Sequence, residues 1–305
     1  MRRLTRPGEP AAARALGAAA LAVGAGAGLA SLLLMRGDRG EPSTPATAPV
    51  RGLYAASALL ALSVLADSAL EHDRGEFRNP GMFTPLITAG VTLAAATREM
   101  AGERRGADVA YAAAVGIGAG GLAFHLFNLF KRPGGLSWHN LFYAAPLGAP
   151  AALSLAGVLG LAARRARRGW GGAGRTLAGV CALGLAGTVG EAGLLHFRGA
   201  FQNPFMWLPV SLPPVGAALL ASAARDGGPG RRRFTRLWLA LTAALGLGGV
   251  GFHIFGVSRA MGGWGNWRQN LIDGPPIPAP PAFTALSLAG LSALALQRRE
   301  LEAAA

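Results

Sequence analysis

The sequence predicts an all-α polytopic membrane protein with about nine transmembrane helices, arranged as one N-terminal helix and two direct four-helix repeats. Three observations lead to this prediction. The 305 residues are 51% hydrophobic and only 14% charged, whereas a soluble domain has about 25% charged residues. The charged residues cluster between apolar runs of about 20 residues, the length at which a helix crosses a bilayer. A 14-residue segment also occurs twice.

Nine apolar runs are candidate spans, and they divide the chain into three parts. The first run has no convincing cleavage signature behind it, so we expect a retained helix and not a secretory signal. A segment rich in Pro, Ser and Thr follows at 37–50 and predicts a linker. The parts are a tail, helix and linker at 1–50, a first repeat at 51–170 and a second repeat at 171–305. The runs lie near residues 13–35, 51–71, 82–100, 107–130, 141–163, 175–196, 205–223, 234–256 and 279–297.

The duplication is clearest in the motif H-x-R-G-x-F-x-N-P-x-M-x-x-P, which begins at His72 and again at His196. Eight of its 14 positions are identical without a gap. A second block occurs as Gly121–Phe127 and again as Gly249–Phe255. Because each repeat contains an even number of spans, both repeats have the same orientation, related by an axis along the membrane normal.

The basic residues predict an orientation and a partner. One set of loops, together with the linker and the C-terminus, holds 18 of the 29 Lys and Arg residues, although the basic N-terminal tail lies on the other side. The positive-inside rule places the richer side in the cytoplasm and both motif loops on the extracytoplasmic side. Abundant Gly, Ala and Arg are typical of a GC-rich bacterial genome, so we expect a bacterial cytoplasmic (inner) membrane. Loop anchors explain the net charge of +14, so the expected partners are lipid and other subunits of a membrane complex, not nucleic acid.

Six ionisable residues recur at matching positions of the two repeats. One histidine of each repeat begins the motif, and a second lies near the end of the span two helices later. One acidic residue of each repeat lies five residues before the motif histidine. A carboxylate inside a span faces the protein interior or a cavity, so we expect each trio to meet near the extracytoplasmic face. The trios are Asp67, His72 and His125 in the first repeat, and Glu191, His196 and His253 in the second.

These residue types suit two cofactors. Two histidines and a carboxylate are typical ligands of a transition metal, which makes both trios candidate metal sites. Two histidines on different helices are also the axial ligands of haem b, with His72/His125 and His196/His253 as the ligand pairs. The alternative is that each histidine only forms structural hydrogen bonds at a helix end. The fifth histidine, His139, is expected in a loop and outside the site.

Other motif residues predict structural support of the loops. The Asn-Pro pairs at 79–80 and 203–204 predict an N-cap followed by Pro at the first helical position. Gly75 and Gly199 are expected to take positive φ values in the loops.

Two further motif positions each leave two interpretations. We expect Arg74 and Arg198 to support the loops, either directly or by pairing with the buried carboxylate of their repeat. A methionine follows ten residues after each motif histidine, and core packing is favoured for it over a Cu(I) ligand. The glycine four residues before each span histidine leaves room for a planar ligand or for a neighbouring helix.

Three classes of function follow from these features. The leading one is a redox or cofactor-binding membrane protein, one form of which is a membrane subunit of an oxidoreductase complex. In layout the chain is similar to haem-binding proteins made of two four-helix halves with histidine pairs, such as haem A synthase, although it carries none of that family's sequence motifs. The second class is a secondary transporter with Asp67 and Glu191 as ion or proton sites. The third is a structural or assembly subunit of a membrane complex.

Several chemistries are excluded by what the sequence lacks. It contains no Walker A, G-x-S-x-G or H-E-x-x-H motif, and no G-x-G-x-x-G in a βαβ setting. Its one cysteine, Cys181, excludes an intramolecular disulfide and a C-x-x-C-H haem attachment site.

Overall fold

The computed structural model describes residues 47–102, 107–225 and 232–304. The predicted first span at 13–35 lies outside these residues, as does most of the linker at 37–50. Over the described residues the chain forms helices and no strand, which confirms the all-α prediction.

The helices follow one another in the same order in two parts of the chain, residues 48–167 and 173–304, which we call the first and second units. The first unit contains α1 (Ala48–Arg74), α2 (Thr84–Ala101), α3 (Ala107–Phe130), α4 (Trp138–Tyr143) and α5 (Gly148–Arg167). The second contains α6 (Ala173–Arg198), α7 (Leu208–Arg225), α8 (Arg232–Arg259), α9 (Trp267–Asp273) and α10 (Pro281–Ala304). Short 3₁₀ turns lie at Pro80–Phe83, Pro204–Trp207 and Gly263–Asn266.

Five of the described segments are long and apolar enough to cross a membrane. They contain α1, α3, α6, α7 with its preceding turn, and α8. This length and composition identify an integral membrane protein. The remaining long helices carry buried charged or amide side chains, namely Glu99 in α2, Arg164 in α5 and Gln297 in α10.

Four helices form the centre of the molecule. They are α1, α5, α6 and α10, and their contacts with one another contain most of the buried alanine and leucine side chains. Helices α2 and α3 pack on one side of this centre, and α7 and α8 pack on the other. Small residues permit close approach: a side chain at Gly157 in α5 would collide with the backbone of α3.

Each unit is a ring of four long helices. In the first unit, α1 and α3 both pack against α2 and α5, so α1 and α3 lie diagonally opposite each other. In the second unit, α6 and α8 both pack against α7 and α10, so α6 and α8 are the diagonal pair.

One predicted span is broken in the structure. The run at 141–163 begins inside the short helix α4, which ends at Tyr143, and the long helix α5 begins only at Gly148. Pro146 explains the break, because proline disfavours helical geometry at the residue before it. The short helices α4 and α9 therefore lie at one end of the bundle, which we call the motif end because both motif loops are there.

Candidate functional site

Each motif histidine bonds to the first turn of the next helix. The Nδ1–H of His72 donates to the carbonyl oxygen of Met82 at 2.5 Å, and the Nδ1–H of His196 donates to that of Met206 at 2.8 Å. We assign the proton to Nδ1 because a carbonyl oxygen can only accept a hydrogen bond. In the neutral ring Nε2 then keeps its lone pair and can act as a ligand.

The second histidine of each unit makes the same kind of bond. The Nδ1–H of His125 donates to the carbonyl oxygen of Pro146 at 2.6 Å, and that of His253 donates to Pro276 at 2.7 Å. All four repeated histidines therefore share one tautomer, which leaves Nε2 available. A backbone carbonyl on the other ring nitrogen is the usual partner of a ligating histidine, since it fixes the tautomer and orients the ring.

The structure brings the two histidines of each predicted pair to the same end of one unit. His72 and His125 lie on the diagonal helices α1 and α3, close enough to interact electrostatically. His196 and His253 lie on the diagonal helices α6 and α8 and also interact. Each pair thus lies at the motif end of one unit, with its two histidines on diagonal helices.

The motif phenylalanine packs against the motif histidine in both loops. The ring of Phe77 meets His72 edge-on, at 6.1 Å between centroids and an interplanar angle of 84°, and stacks on Phe83 at 4.5 Å. In the second unit the values are 6.1 Å and 81° for His196 and Phe201, and Phe201 stacks on Trp207 at 4.1 Å. The loops therefore hold each histidine ring from a second side.

The backbone of both motif loops differs from the prediction. The glycines at 75 and 199 have φ values of −80° and −82°, so the expectation of positive φ at these glycines was wrong. Left-handed φ falls instead on the next two residues of each loop, with values of 58° at Glu76, 46° at Phe77, 57° at Ala200 and 47° at Phe201. Such a conformation costs about 1–3 kcal/mol at each non-glycine residue, and here it points the phenylalanine toward the histidine.

A different contact explains the motif glycines. A Cβ at Gly75 would lie 2.6 Å from Cε of Met82, and one at Gly199 would lie 3.0 Å from Cε of Met206. The methionine side chains cover the glycines. This contact supports the interpretation of Met82 and Met206 as packing residues and not as copper ligands.

The Asn-Pro prediction is confirmed in both loops. Asn79 Oδ1 accepts a hydrogen bond from the N–H of Gly81 at 2.9 Å, and Asn203 Oδ1 accepts one from Phe205 at 3.0 Å. In each case proline begins the 3₁₀ turn that leads into the following long helix.

The motif arginines bind the opposite unit and not the buried carboxylates, so that pairing was wrong. Arg74 donates to the carbonyl oxygen of Ile272 in α9, and it also pairs with Glu71 at 3.1 Å. Arg198 donates to the carbonyl oxygen of Phe142 in α4 at 2.9 Å. The two bonds are reciprocal, because each unit sends its arginine to the last turn of the short helix of the other.

The two repeated carboxylates lie between the units, apart from the histidine pairs. Glu191 in α6 accepts a hydrogen bond from the N–H of Gly148 at 3.0 Å and thereby caps the start of α5. The residue that matches Gly148 in the second unit is Pro278, which has no N–H. The residue that matches Glu191 in the first unit is Asp67. Asp67 forms no hydrogen bond or ion pair within the described residues, and its carboxylate lies near that of Glu191.

This arrangement does not assemble the predicted three-ligand metal sites. Among the described residues, no three or more His, Cys, Asp and Glu side chains come together in a way that could hold a metal ion. The trios Asp67/His72/His125 and Glu191/His196/His253 are each divided between a histidine pair and the centre of the molecule. What the structure brings together is two histidines in each unit.

Two further predicted positions have structural explanations. His139 is exposed on α4 and contacts the ring of Tyr143 at 5.1 Å between centroids. A Cβ at Gly121 would lie 3.3 Å from Cβ of Pro150, and one at Gly249 would lie 2.8 Å from Cβ of Pro280. These glycines therefore make room for a neighbouring helix and not for a ligand.

A second group of buried charges, which the sequence does not predict, lies at the end opposite the motif loops. Glu99 and Arg164 form an ion pair and are only 3% and 8% exposed. Arg164 also pairs with Asp108 at 2.7 Å. Each of these residues lies at the end of an apolar run, where charges are usually loop anchors, so the sequence carries no signal that they are buried.

No protein-family model, curated protein or solved structure matches this chain. The fold and the site therefore define its class: an all-helical integral membrane protein with paired, similarly oriented histidines.

Proposed function

We propose that this protein is a membrane cofactor protein that holds haem b between His72 and His125 and between His196 and His253. One observation carries the proposal: all four repeated histidines donate Nδ1–H to a backbone carbonyl. This bond leaves the Nε2 lone pair free, and Nε2 is the atom that an axial haem ligand uses.

The position of the pairs supports a haem more than a metal ion alone. Bundle cofactors are held by side chains from facing helices, and each pair here comes from the diagonal helices of one ring. A single metal ion usually takes further protein ligands, which the described residues do not provide near the histidines. A bound haem would supply one-electron chemistry, and the chain's own residues would orient the ligands.

We also infer that the full chain has nine spans, with two direct repeats after the N-terminal helix. The identical order of elements in the two units and the reciprocal arginine bonds support this architecture. The excess of Lys and Arg in the loops opposite the motif end supports a cytoplasmic location for those loops. Both haem sites would then lie near the extracytoplasmic face of a bacterial inner membrane.

An absorption spectrum of the purified protein tests the proposal. We expect a Soret band, a pyridine haemochrome of the haem b type and one haem for each histidine pair. His72→Asn and His196→Asn should each remove one haem. Asparagine places an N–H donor at the position of Nδ1, where it can serve the carbonyl of Met82 or Met206, and it has no atom at the position of the ligating Nε2.

His139→Asn is the matched control, because this histidine is exposed and outside both pairs. It should leave the haem content unchanged. A protein without a Soret band and without a bound transition metal, prepared from cells supplied with haem, would show that the four histidines are structural.

A second candidate function, ion-coupled transport, has one observation in its favour. Asp67 lies within a candidate span and has no hydrogen-bond or ion-pair partner in the described part of the chain. An acidic residue within a membrane is a functional candidate.

In proteoliposomes with an internal pH dye, a sodium gradient should then drive a pH change that Asp67→Asn abolishes and Glu191→Gln retains. Equal responses of the two variants would exclude Asp67 as the coupling residue.

A further inference from the structure

The first unit contains a row of buried polar side chains that the proposed histidine sites do not use. On α2, Thr84, Thr88, Thr92 and Glu99 are all at most 3% exposed. Residues four apart lie above one another on the same face of a helix, and Glu99 falls on this face as well. The row extends about 22 Å along α2, which is most of the ~30 Å hydrocarbon core of a bilayer.

Several hydroxyl groups along this row have no protein partner within the described residues. They include Oγ1 of Thr84, Oγ1 of Thr88 and Oη of the fully buried Tyr111. A buried polar group without a hydrogen bond costs about 1–3 kcal/mol. Ordered water is the usual partner where the protein supplies none, so these hydroxyls indicate internal water.

Helices α1 and α3, which pack against α2, each carry a tyrosine toward one end and a histidine toward the other. Tyr54 lies 18 residues before His72 on α1, which is five helical turns and about 27 Å along the same face. Tyr111 lies 14 residues before His125 on α3, about 21 Å along nearly the same face. The tyrosines therefore lie at one end of the interior of the first unit and the histidines at the other.

The tyrosine end reaches the surface through charged groups. Tyr54 lies beside the carboxylate of Glu99, which pairs with Arg164, and Arg164 pairs with Asp108. The side chain of Asp108 is 51% exposed. Polar groups thus continue from the protein surface to the unpartnered hydroxyls of the interior.

The second unit keeps its histidine pair but has no such row. The repeat register shifts by 124 residues at the motif, 128 at the second block and 130 beyond it. At these offsets, the four residues of the row, together with Tyr54, Tyr111 and Arg164, have an apolar counterpart or glycine in the second unit. The counterparts are Ala178, Leu208, Leu212, Gly216, Ala223, Leu239 and Leu294. Packing around a histidine pair therefore does not require the row.

We propose that the first unit encloses a chain of water molecules that leads from the Glu99–Arg164 pair to the site between His72 and His125. Hydroxyl groups and water pass protons along hydrogen bonds, so this chain supplies protons to the first histidine site and not to the second. The existence of the water chain stands on the buried hydroxyls alone, whereas its use at a haem rests on the function proposed above.

Water-edited solid-state NMR on the protein in lipid bilayers tests the water chain without any haem. Carbon-13-labelled threonine reports how quickly magnetisation passes from water protons to each side chain. We expect transfer to Thr84 and Thr88 to be at least threefold faster than transfer to Thr242. Thr242 is the internal control, because it is fully buried in the second unit and its hydroxyl donates to the carbonyl oxygen of Trp238 at 2.9 Å. Transfer to Thr88 as slow as transfer to Thr242 would overturn the proposal.

Stopped-flow reduction of the haem-loaded protein tests the proton supply. Dithionite gives one electron to each haem iron, and one proton taken from water compensates each added negative charge, which a pH indicator follows. Thr88→Val should slow the proton uptake at the first site about tenfold, and Thr242→Val should not change it. Valine matches the shape of threonine, and Thr88 Oγ1 has no protein bond to lose in the described structure.

The two experiments separate the two proposals. A protein that binds no haem overturns the proposed function, while the NMR measurement still decides whether the water chain exists. A haem-loaded protein whose proton uptake is the same with Thr88→Val and without it overturns the proton route.

Discussion

At the scale of single residues, the repeated hydrogen bond of the histidines carries more information than their spacing. The spacing predicts that the four histidines meet in two pairs near one face. The bond from Nδ1–H to a carbonyl at 2.5–2.8 Å decides which ring nitrogen is free. The motif phenylalanine and the covering methionine hold the same rings and loops in place, so most of the motif supports one imidazole orientation.

Replacement of a motif glycine should destabilise the protein. Gly75→Ala brings a methyl group against Cε of Met82 and to 3.3 Å from the carbonyl oxygen of His72. Because the end of the methionine side chain can turn aside, we expect a loss of about 1 kcal/mol, the low end for overpacking. Thermal unfolding in detergent measures this loss. Gly90→Ala is the control, since nothing lies within 4 Å of a Cβ there and alanine favours the helix by up to about 1 kcal/mol. If both variants unfold at the same temperature, the contact of Met82 with Gly75 does not explain the glycine.

At the scale of elements, the ends of the helices are determined by contacts between units. The run at 141–163 is continuous in hydropathy, yet Pro146 divides it into α4 and α5. The first N–H of α5 is then satisfied by Glu191 from the other unit. A side chain at Gly148 would collide with this carboxylate. The matching residue of the second unit, Pro278, has a side chain and no N–H to donate, so the matching acid, Asp67, caps no helix there.

Removal of the capping carboxylate should cost more than removal of its counterpart. Glu191→Ala leaves the N–H of Gly148 without its partner, and loss of an N-cap costs about 0.5–2 kcal/mol. Asp67→Ala removes no hydrogen bond within the described structure, so we expect no loss of stability or a small gain. The midpoints of unfolding of the two variants in the same detergent give the comparison, and a larger loss for Asp67→Ala would contradict the assignment of the cap.

At the scale of the whole molecule, two similar units are held together by a common centre and by reciprocal bonds at the motif end. Helices α1, α5, α6 and α10 bury the largest cluster of apolar side chains. Arg74 and Arg198 add a bond from each unit to the short helix of the other. The units differ inside, because only the first contains the buried polar row of α2.

Loss of a reciprocal arginine should weaken the contact between the units. Arg198→Ala removes the hydrogen bond to the carbonyl oxygen of Phe142, worth about 0.5–1.5 kcal/mol. Proteolysis at the motif end should become faster in this variant. Arg78→Ala is the control, because within the described residues Arg78 pairs inside its own loop, with Glu76 at 2.5 Å, and exposed pairs of this kind contribute about 0–1 kcal/mol. Equal proteolysis rates for the two variants would contradict a connection between units.

The sequence by itself determined the helical class, most helix positions and the recurrence of two histidines in each repeat. Apolar runs of membrane length and a repeated motif are local signals, so they can be recognised without knowledge of the packing. The run at 107–130 matches α3 at both ends, and the Asn-Pro caps form as predicted.

Only the tertiary structure decided the partners of the charged residues. Arg74, Arg198 and Glu191 all form hydrogen bonds across the boundary between the units, and Glu99 meets Arg164 from a distant helix end. Sequence spacing within one repeat holds no information about a neighbour that comes from the other repeat, because the contact depends on how the two rings of helices pack.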